Sequence, residues 1–457
     1  MNVKTLLTCS AVLFFAATVH ADVKLPFVFS DHMVLQADMA APVFGTAAAG
    51  EQVTVEINGQ KKTATADKDG KWLAKLDAMK AGGPYELKVT GKNAITIKDV
   101  LVGEVWMASG QSNMRFPLSR ATDGAAEISA MNNPKIRYLQ DTGSWVFVTP
   151  NSGKNFSAAA YYFAKDLQEH LKVPVGIIEN SVSGACIEQF ISPEELAKPD
   201  IAEAIKLHDV PRHDVYDASI APLIPYGIKG ALWYQGEGNR DFPITYRKLL
   251  ATLAADWRAR WGQGNFPLII VQLANWHPQT PEPSVGKDCT LREAQLKALT
   301  AIPATALVVT IDLGIVNDVH YPNKKPVGDR LSIAARGMVY GEKIEYSGPI
   351  FDAVKFEGAK AVVSFKHVGG GLVAKGDALK GFVICGADKK FVRADAKIEG
   401  DTVVVTQAGV TSPIAVRYAF ENNPVCTLTN KEGLPAAPFR SDEFVSFPTR
   451  DNTADDK

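Results

Sequence analysis

Cysteine is scarce in this chain, with five residues in 457 positions. Cys9 falls in an N-terminal stretch that reads as a removable leader. Cys186, Cys289, Cys385 and Cys426 are too scattered to form a disulfide-dense scaffold, and sequence alone selects no pairing among them. None stands in a CxxC pair or in Cys/His ligand spacing, so the signature of a structural zinc is missing. An excess of either charge is lacking too: 49 Lys and Arg face 50 Asp and Glu, for a net charge of −1 and a pI of about 6.7. No broad field directs the chain to nucleic acid or to an anionic membrane. After the first residues no apolar run approaches the roughly 20 positions needed to span a bilayer. No internal repeat and no long low-complexity segment appear.

What remains is ordinary globular material, 46% hydrophobic and 22% charged, enough for more than one core. The start reads as a secretory signal: Lys4, an apolar stretch from Leu6 to Val19, and Val19-His20-Ala21 as a small-x-small cleavage site before Asp22. The stretch is short for a membrane anchor. Leu6-Leu7-Thr8-Cys9 lies too early, before any apolar run, to serve as a lipid-attachment box. The expectation is a soluble exported protein, periplasmic or secreted, with no membrane anchor and no nucleic-acid partner.

Texture divides the rest into three regions. Residues 22–100 alternate apolar and polar, as in Gln52–Gln60, and turn at Asn58-Gly59, which predicts a small β-sandwich or barrel. Residues 101–344 alternate strand and helix. Near-continuous apolar runs at Val102–Met107, Val175–Asn180, Ile228–Tyr234, Leu268–Leu273 and Ala306–Asp312 suit parallel strands covered on both faces. Helical patterns lie at Ala158–Leu171, Tyr246–Trp261, Leu291–Ala301 and Gly328–Val339. This is an α/β reading, a doubly wound parallel sheet. Residues 345–457 return to short β segments broken by turns, with a polar tail.

Three segments following candidate strands carry the chemistry. Gly103–Met114 delivers Ser112 at a small polar turn. It is not the Gly-x-Ser-x-Gly elbow, because Met114 stands where the second glycine would be. A serine there can also simply cap the next helix. His320 lies in the dense polar turn Asn317–Lys324, unlike the other histidines of the mature chain, and is the candidate general base. Asp318, two residues earlier, can orient the imidazole, with Asp312 and Glu237 as competing acids. Gly184 follows the Val175–Asn180 run, where its N–H can face an oxyanion or the glycine can serve a turn. Gln235, after Trp233-Tyr234, offers a side-chain amide to the same oxyanion. Glu237, Asn239 and Arg292 read as braces for these loops. Ligands on an open parallel sheet bind beyond the strand carboxyl ends, so all these segments should converge.

These residues resemble the SGNH hydrolase superfamily, and within it the sialate O-acetylesterases. Gly103–Met114 is similar to the family's serine block, Pro174–Ser192 to its glycine block, and Ala231–Glu237 to its third block. Leu291–Gln295 is similar to a helical motif and Asp318–His320 to the last block. Asp31–Gln36 and Asn430–Arg440 extend the likeness to the flanks. Departures are Gly238, Asp217 and Ser183, none of which removes a reacting group. The resemblance implies hydrolysis of acetyl esters on sialic acids, at O-9 above all, with no metal and no organic cofactor. It implies Ser112 as nucleophile, His320 as base, Asp318 as orienter, and Ser112 N–H, Gly184 N–H and the Gln235 amide as oxyanion donors. The partner would be an O-acetylated sugar or glycan. A related chemistry, an acetylesterase for xylan or pectin, shares these blocks. A catalytically dead carbohydrate-binding protein would lack a reacting group, and none is missing here. The loop after Leu273, with Trp276 and His277, lies where a sugar pocket could form.

Overall fold

The computed structural model describes residues 22–208 and 215–444. The expected leader over 1–21 and the tail from 445 lie outside the described residues. The α/β part of the central sheet is built, among the described residues, from seven strands, labelled here β1 Ala94–Gly110, β2 Asn133–Gln140, β3 Val146–Val148, β4 Val175–Glu179, β5 Gly230–Tyr234, β6 Leu268–Val271 and β7 Thr305–Val308. Their order is β7-β6-β5-β1-β4-β2-β3, parallel throughout except for the antiparallel edge strand β3. The chain leaves β1 to one side, to β2 and β4, then returns to the other side for β5, β6 and β7. The strand order therefore reverses at β1, and the carboxyl end of β1 lies at the switch point where doubly wound sheets bind ligands.

Apolar runs with no alternation bury both faces of these strands. Val105, Met107, Trp233 and Ile270 face one core, which also holds Tyr246, Leu249 and Leu253 of the Pro243–Trp261 helix and Leu291 and Ala298 of Lys287–Ala301. Trp106, Ala108, Leu232 and Ile269 face a second core, packed by Phe163 and Leu167 of Ala158–Leu171 and by Val327 and Leu331 of Lys325–Met338. The Ala158–Leu171 helix has the expected bounds for a local reason. Ser157 caps it by accepting the Ala160 N–H at 3.1 Å, and Lys172 ends it in the left-handed conformation at φ 61°. Such an N-cap contributes about 1 kcal/mol.

One strand, Ala94–Gly110, runs through the boundary expected at residue 100. The first half of β1 pairs antiparallel with Gly82–Thr90, and residues 101–103 pair parallel with Val34–Gln36. Its second half lies between β4 and β5. The N-terminal strands Gln52–Ile57, Gln60–Thr65 and Gly82–Thr90 thus belong to the same eleven-stranded sheet as the α/β core, and Pro42–Thr46 pairs separately with Lys71–Lys75. The C-terminal region forms small antiparallel sheets, one of the two four-stranded ones being Ile350–Glu357, Lys360–Lys366, Thr402–Thr406 and Asp395–Glu399. The four cysteines of the described residues are free thiols.

Candidate active site

The serine loop is fixed by close backbone approach. At Gly110 the backbone has φ +138°, and a Cβ there would lie 2.1 Å from the Tyr234 carbonyl oxygen. Only glycine lets β1 end this tightly against β5. The Gln111 N–H then donates to Tyr234 O at 3.0 Å. The Gln111 side-chain oxygen accepts from Gly236 N at 3.2 Å and Gly238 N at 3.1 Å, lacing the serine loop to the loop after β5. Ser112 follows, opening a short helix, Ser112–Arg115. At that position the backbone N–H has no intrahelical acceptor.

His320 meets this serine: its Nε2 is 2.8 Å from Ser112 Oγ. The loop curls back so that Asp318 Oδ1 accepts the His320 backbone N–H at 2.7 Å and lies 3.3 Å from Nδ1. A proton on Nδ1 facing that carboxylate leaves Nε2 as the acceptor for the serine hydroxyl. The competing acids are engaged elsewhere. Asp312 takes both terminal nitrogens of Arg330 at 2.7 Å, and Glu237 Oε1 accepts from Asn113 Nδ2 at 2.6 Å.

Gly184, expected to face an oxyanion, sits in an exposed turn at φ +76°. The turn hangs from the end of β1, since Val182 N–H donates to Gly110 O at 2.9 Å. The Gly184 N–H makes no backbone hydrogen bond among the described residues.

Gln235 differs from expectation. It is fully buried, and its amide nitrogen donates to Ala185 O at 3.1 Å and Asn239 Oδ1 at 2.8 Å. An amide nitrogen has two hydrogens, so none is left for an oxyanion. The expected role as donor is corrected to that of a brace between the Gly184 turn and the loop after β5. Asn239 extends the brace: its Oδ1 also accepts from Ile187 N at 3.0 Å, and its Nδ2 donates to Glu188 Oε2 at 2.8 Å. Arg292 braces a third loop, donating to Ala274 O at 3.0 Å and Asn422 O at 3.1 Å.

Two residues that sequence reasoning did not single out complete the arrangement. Lys324 is only 1% exposed. Its Nζ donates to Asn113 Oδ1 at 2.5 Å and lies over the rings of Phe116 and Tyr234, at 5.2 and 5.3 Å. Asn113 Nδ2 also donates to Val319 O at 3.1 Å. Burial pushes the Lys324 ammonium down to about 7, against the pull of the Glu237 and Asp318 carboxylates. Burial likewise pushes the Glu237 carboxyl up, opposed by its hydrogen bonds and by Lys324. Lys324 closes the same polar turn that carries His320, and Asn113 follows Ser112. Their adjacency to Ser112 and His320 was the available signal.

A largely parallel, doubly wound sheet with a serine–histidine pair at its switch point defines an SGNH-type carboxylic ester hydrolase. The family model described as carbohydrate esterase, sialic acid-specific acetylesterase matches residues 102–334, and the chain belongs to that family. It is similar to the sialate O-acetylesterase of Mus musculus, 26% identical over 94% of this chain and 96% of the mouse protein. The Homo sapiens sialate O-acetylesterase is 27% identical over 90% of this chain and 91% of its own length. A carbohydrate acetylesterase from Xanthomonas citri shares the fold with a TM-score of 0.87 and 37% identity, over 92% of this chain and 100% of that one.

Proposed function

We propose that this esterase removes O-acetyl groups from sialic acids, at O-9 above all, through an acyl-enzyme on Ser112. The observation that carries the reading is the 2.8 Å contact between Ser112 Oγ and His320 Nε2, backed by Asp318 at Nδ1. In this mechanism Ser112 Oγ attacks the acetyl carbonyl carbon while His320 Nε2 takes its proton. The N–H groups of Ser112 and Gly184 receive the oxyanion. His320 then protonates the departing sugar oxygen, leaving acetyl-Ser112. A water deprotonated by His320 attacks this ester, the Ser112 Oγ–acyl bond breaks, and acetate leaves as the serine regains its proton.

The relatives named for sialate support the substrate, and one local feature supports an anionic sugar. Arg240 follows the loop that braces Ser112. Its Nε donates to Glu237 O at 3.3 Å and stands 3.6 Å from Asp288, and its guanidinium lies 4.6 Å from the Trp276 ring. Its two terminal nitrogens make no hydrogen bond among the described residues, which leaves the bidentate edge for a substrate carboxylate. The reading includes export, supported by the leader-like residues 1–21. Among the described residues no helix is long and apolar enough to cross a membrane.

The test is acetate release from O-acetylated sialic acid, acetylxylan and acetylated pectin, with wild type, Ser112→Ala and Arg240→Gln. The expected result is preference for the sialic acid, loss of several orders of magnitude in kcat for Ser112→Ala, and a raised KM for the acidic sugar in Arg240→Gln. Preference for xylan or pectin overturns the substrate. Near-normal turnover in folded Ser112→Ala overturns the mechanism.

A further inference from the structure

A lysine as deeply buried as Lys324 persists only where partners hold its charge. The charges facing it are the carboxylates of Glu237, after β5, and Asp318, on the histidine loop. The Phe116 and Tyr234 rings flank it. Among the described residues its single hydrogen bond to another side chain is to Asn113 Oδ1, at 2.5 Å.

That contact has a consequence for the reacting pair. An ammonium only donates, so it fixes which end of the Asn113 amide faces it. Flipping the amide would set an NH2 group against the ammonium, and its oxygen against the Glu237 carboxylate and the Val319 carbonyl. In the observed orientation the Asn113 nitrogen points one hydrogen at Glu237 Oε1, 2.6 Å away, and the other at Val319 O, 3.1 Å away. Asn113 is bonded in the chain to Ser112, and Val319 to His320. One side-chain amide therefore ties the neighbour of the nucleophile to the neighbour of the base. The same cluster touches the histidine ring, since Phe116 stacks on His320 at 6.5 Å and 25°.

We infer that Lys324 is a positioning residue of the catalytic pair: by fixing the Asn113 amide it holds the serine and histidine loops at the distance proton transfer needs. Lys324 touches no reacting atom and acts through Asn113. Glu237 completes the unit by receiving the second end of the amide and offsetting the buried charge. The inference rests on Ser112 and His320 being nucleophile and base.

The experiment compares Lys324→Met, Asn113→Ala and Lys324→Met/Asn113→Ala, with Ser112→Ala alongside, by steady-state kinetics on an acetylated sugar and by the rate of Ser112 labelling with a serine-directed organophosphate. A misplacement of about an ångström costs on the order of 100-fold. Each single variant should therefore lose roughly that factor in kcat and in labelling rate, with KM within about threefold. The double variant should lose little more, because the residues act as one unit. Lys324→Met leaves the Glu237 carboxylate without its cation, so Lys324→Met/Glu237→Gln serves as the folding control. Removing both charges of a buried pair is often neutral for stability, and this variant should regain thermal stability while kcat stays low. The inference is overturned if folded Lys324→Met keeps kcat within threefold, if the losses multiply in the double variant, or if Lys324→Met/Glu237→Gln recovers stability and kcat together. A fully active Ser112→Ala would remove the underlying assignment instead. An inactive Ser112→Ala beside a normal Lys324→Met would overturn the positioning role alone.

Discussion

At the residue scale the buried amides and charges around Ser112 separate the residues proposed to react from the residues that hold them. Gln235 belongs to the second group, because both hydrogens of its amide are committed to Ala185 O and Asn239 Oδ1. Gln235→Ala leaves Ala185 O buried and unpaired and takes from Asn239 Oδ1 one of its two donors, the Ile187 N–H remaining, which costs about 1–3 kcal/mol. The expected outcome is a lowered Tm, and activity lost in step with stability and largely restored at low temperature. A large kcat loss at unchanged Tm would return Gln235 to the role of oxyanion donor. Lys324 gives a second prediction through its depressed proton affinity, about 7 in the folded chain against an ordinary 10.5. Between those values the unfolded chain binds a proton that the folded chain does not, so the penalty of burying this group is full below pH 7 and fades as pH rises. Relative to Lys324→Met, wild-type stability should therefore climb between pH 7 and 10, by at most about 1.4 kcal/mol per pH unit. Denaturant melts of both proteins across that range check it, and a constant difference means Lys324 titrates near its ordinary value. The residues proposed to react were legible in the sequence because each interrupts an apolar run with a polar turn. The holding residues were not, because what separates a donor from a brace is which hydrogens are already spent, and that is known only when the loops meet.

At the scale of elements, strand β1 decides the site. Its carboxyl end lies between β4 and β5, and those neighbours deliver the Gly184 turn and the Gln235–Asn239 loop to Ser112. The approach depends on Gly110, whose missing side chain admits the Tyr234 carbonyl. Gly110→Ala should cost at least about 1–3 kcal/mol from its backbone conformation alone. It should also push β5 away and so reduce kcat in whatever protein folds. Unfolding curves and acetate release measured together test this, and a Gly110→Ala protein with unchanged stability and kcat would mean the strands relax freely. The strand cores themselves were readable from uninterrupted Val, Ile, Leu and Trp. The missing detail was length, since Ala94–Lys98 alternates in burial while Val100–Gly110 is buried throughout. One strand therefore shows two textures, and the change of texture was read as a domain boundary.

For the whole molecule, that shared strand and the loops of the C-terminal region pack the three textures against one another. A single core includes Val53 and Val89 from the N-terminal region, Met107 and Trp233 from the central sheet, and Val363 and Phe439 from the C-terminal region. Polar contacts run the same way. Asn275 Nδ2 donates to Asn423 Oδ1 at 2.7 Å, Asn423 Nδ2 donates to His277 O at 2.5 Å, and Arg440 pairs with Glu293 at 2.9 Å. The buried Arg292 guanidinium takes two of its three carbonyl acceptors from residues 421 and 422, the third being Ala274 O. Removing everything after residue 344 would strand that charge without those carbonyls, strip the Trp276–His277 loop of its support and expose apolar core to water. The penalty for one uncompensated buried charge is several kcal/mol, comparable with the whole stability of an ordinary domain. A chain ending at Ile344 should accordingly fail to give active, monodisperse protein, whereas the full chain should unfold in a single calorimetric transition with equal calorimetric and van't Hoff enthalpies. Two separated transitions, or acetate release by the shortened chain, would establish the central region as a domain able to fold and act alone.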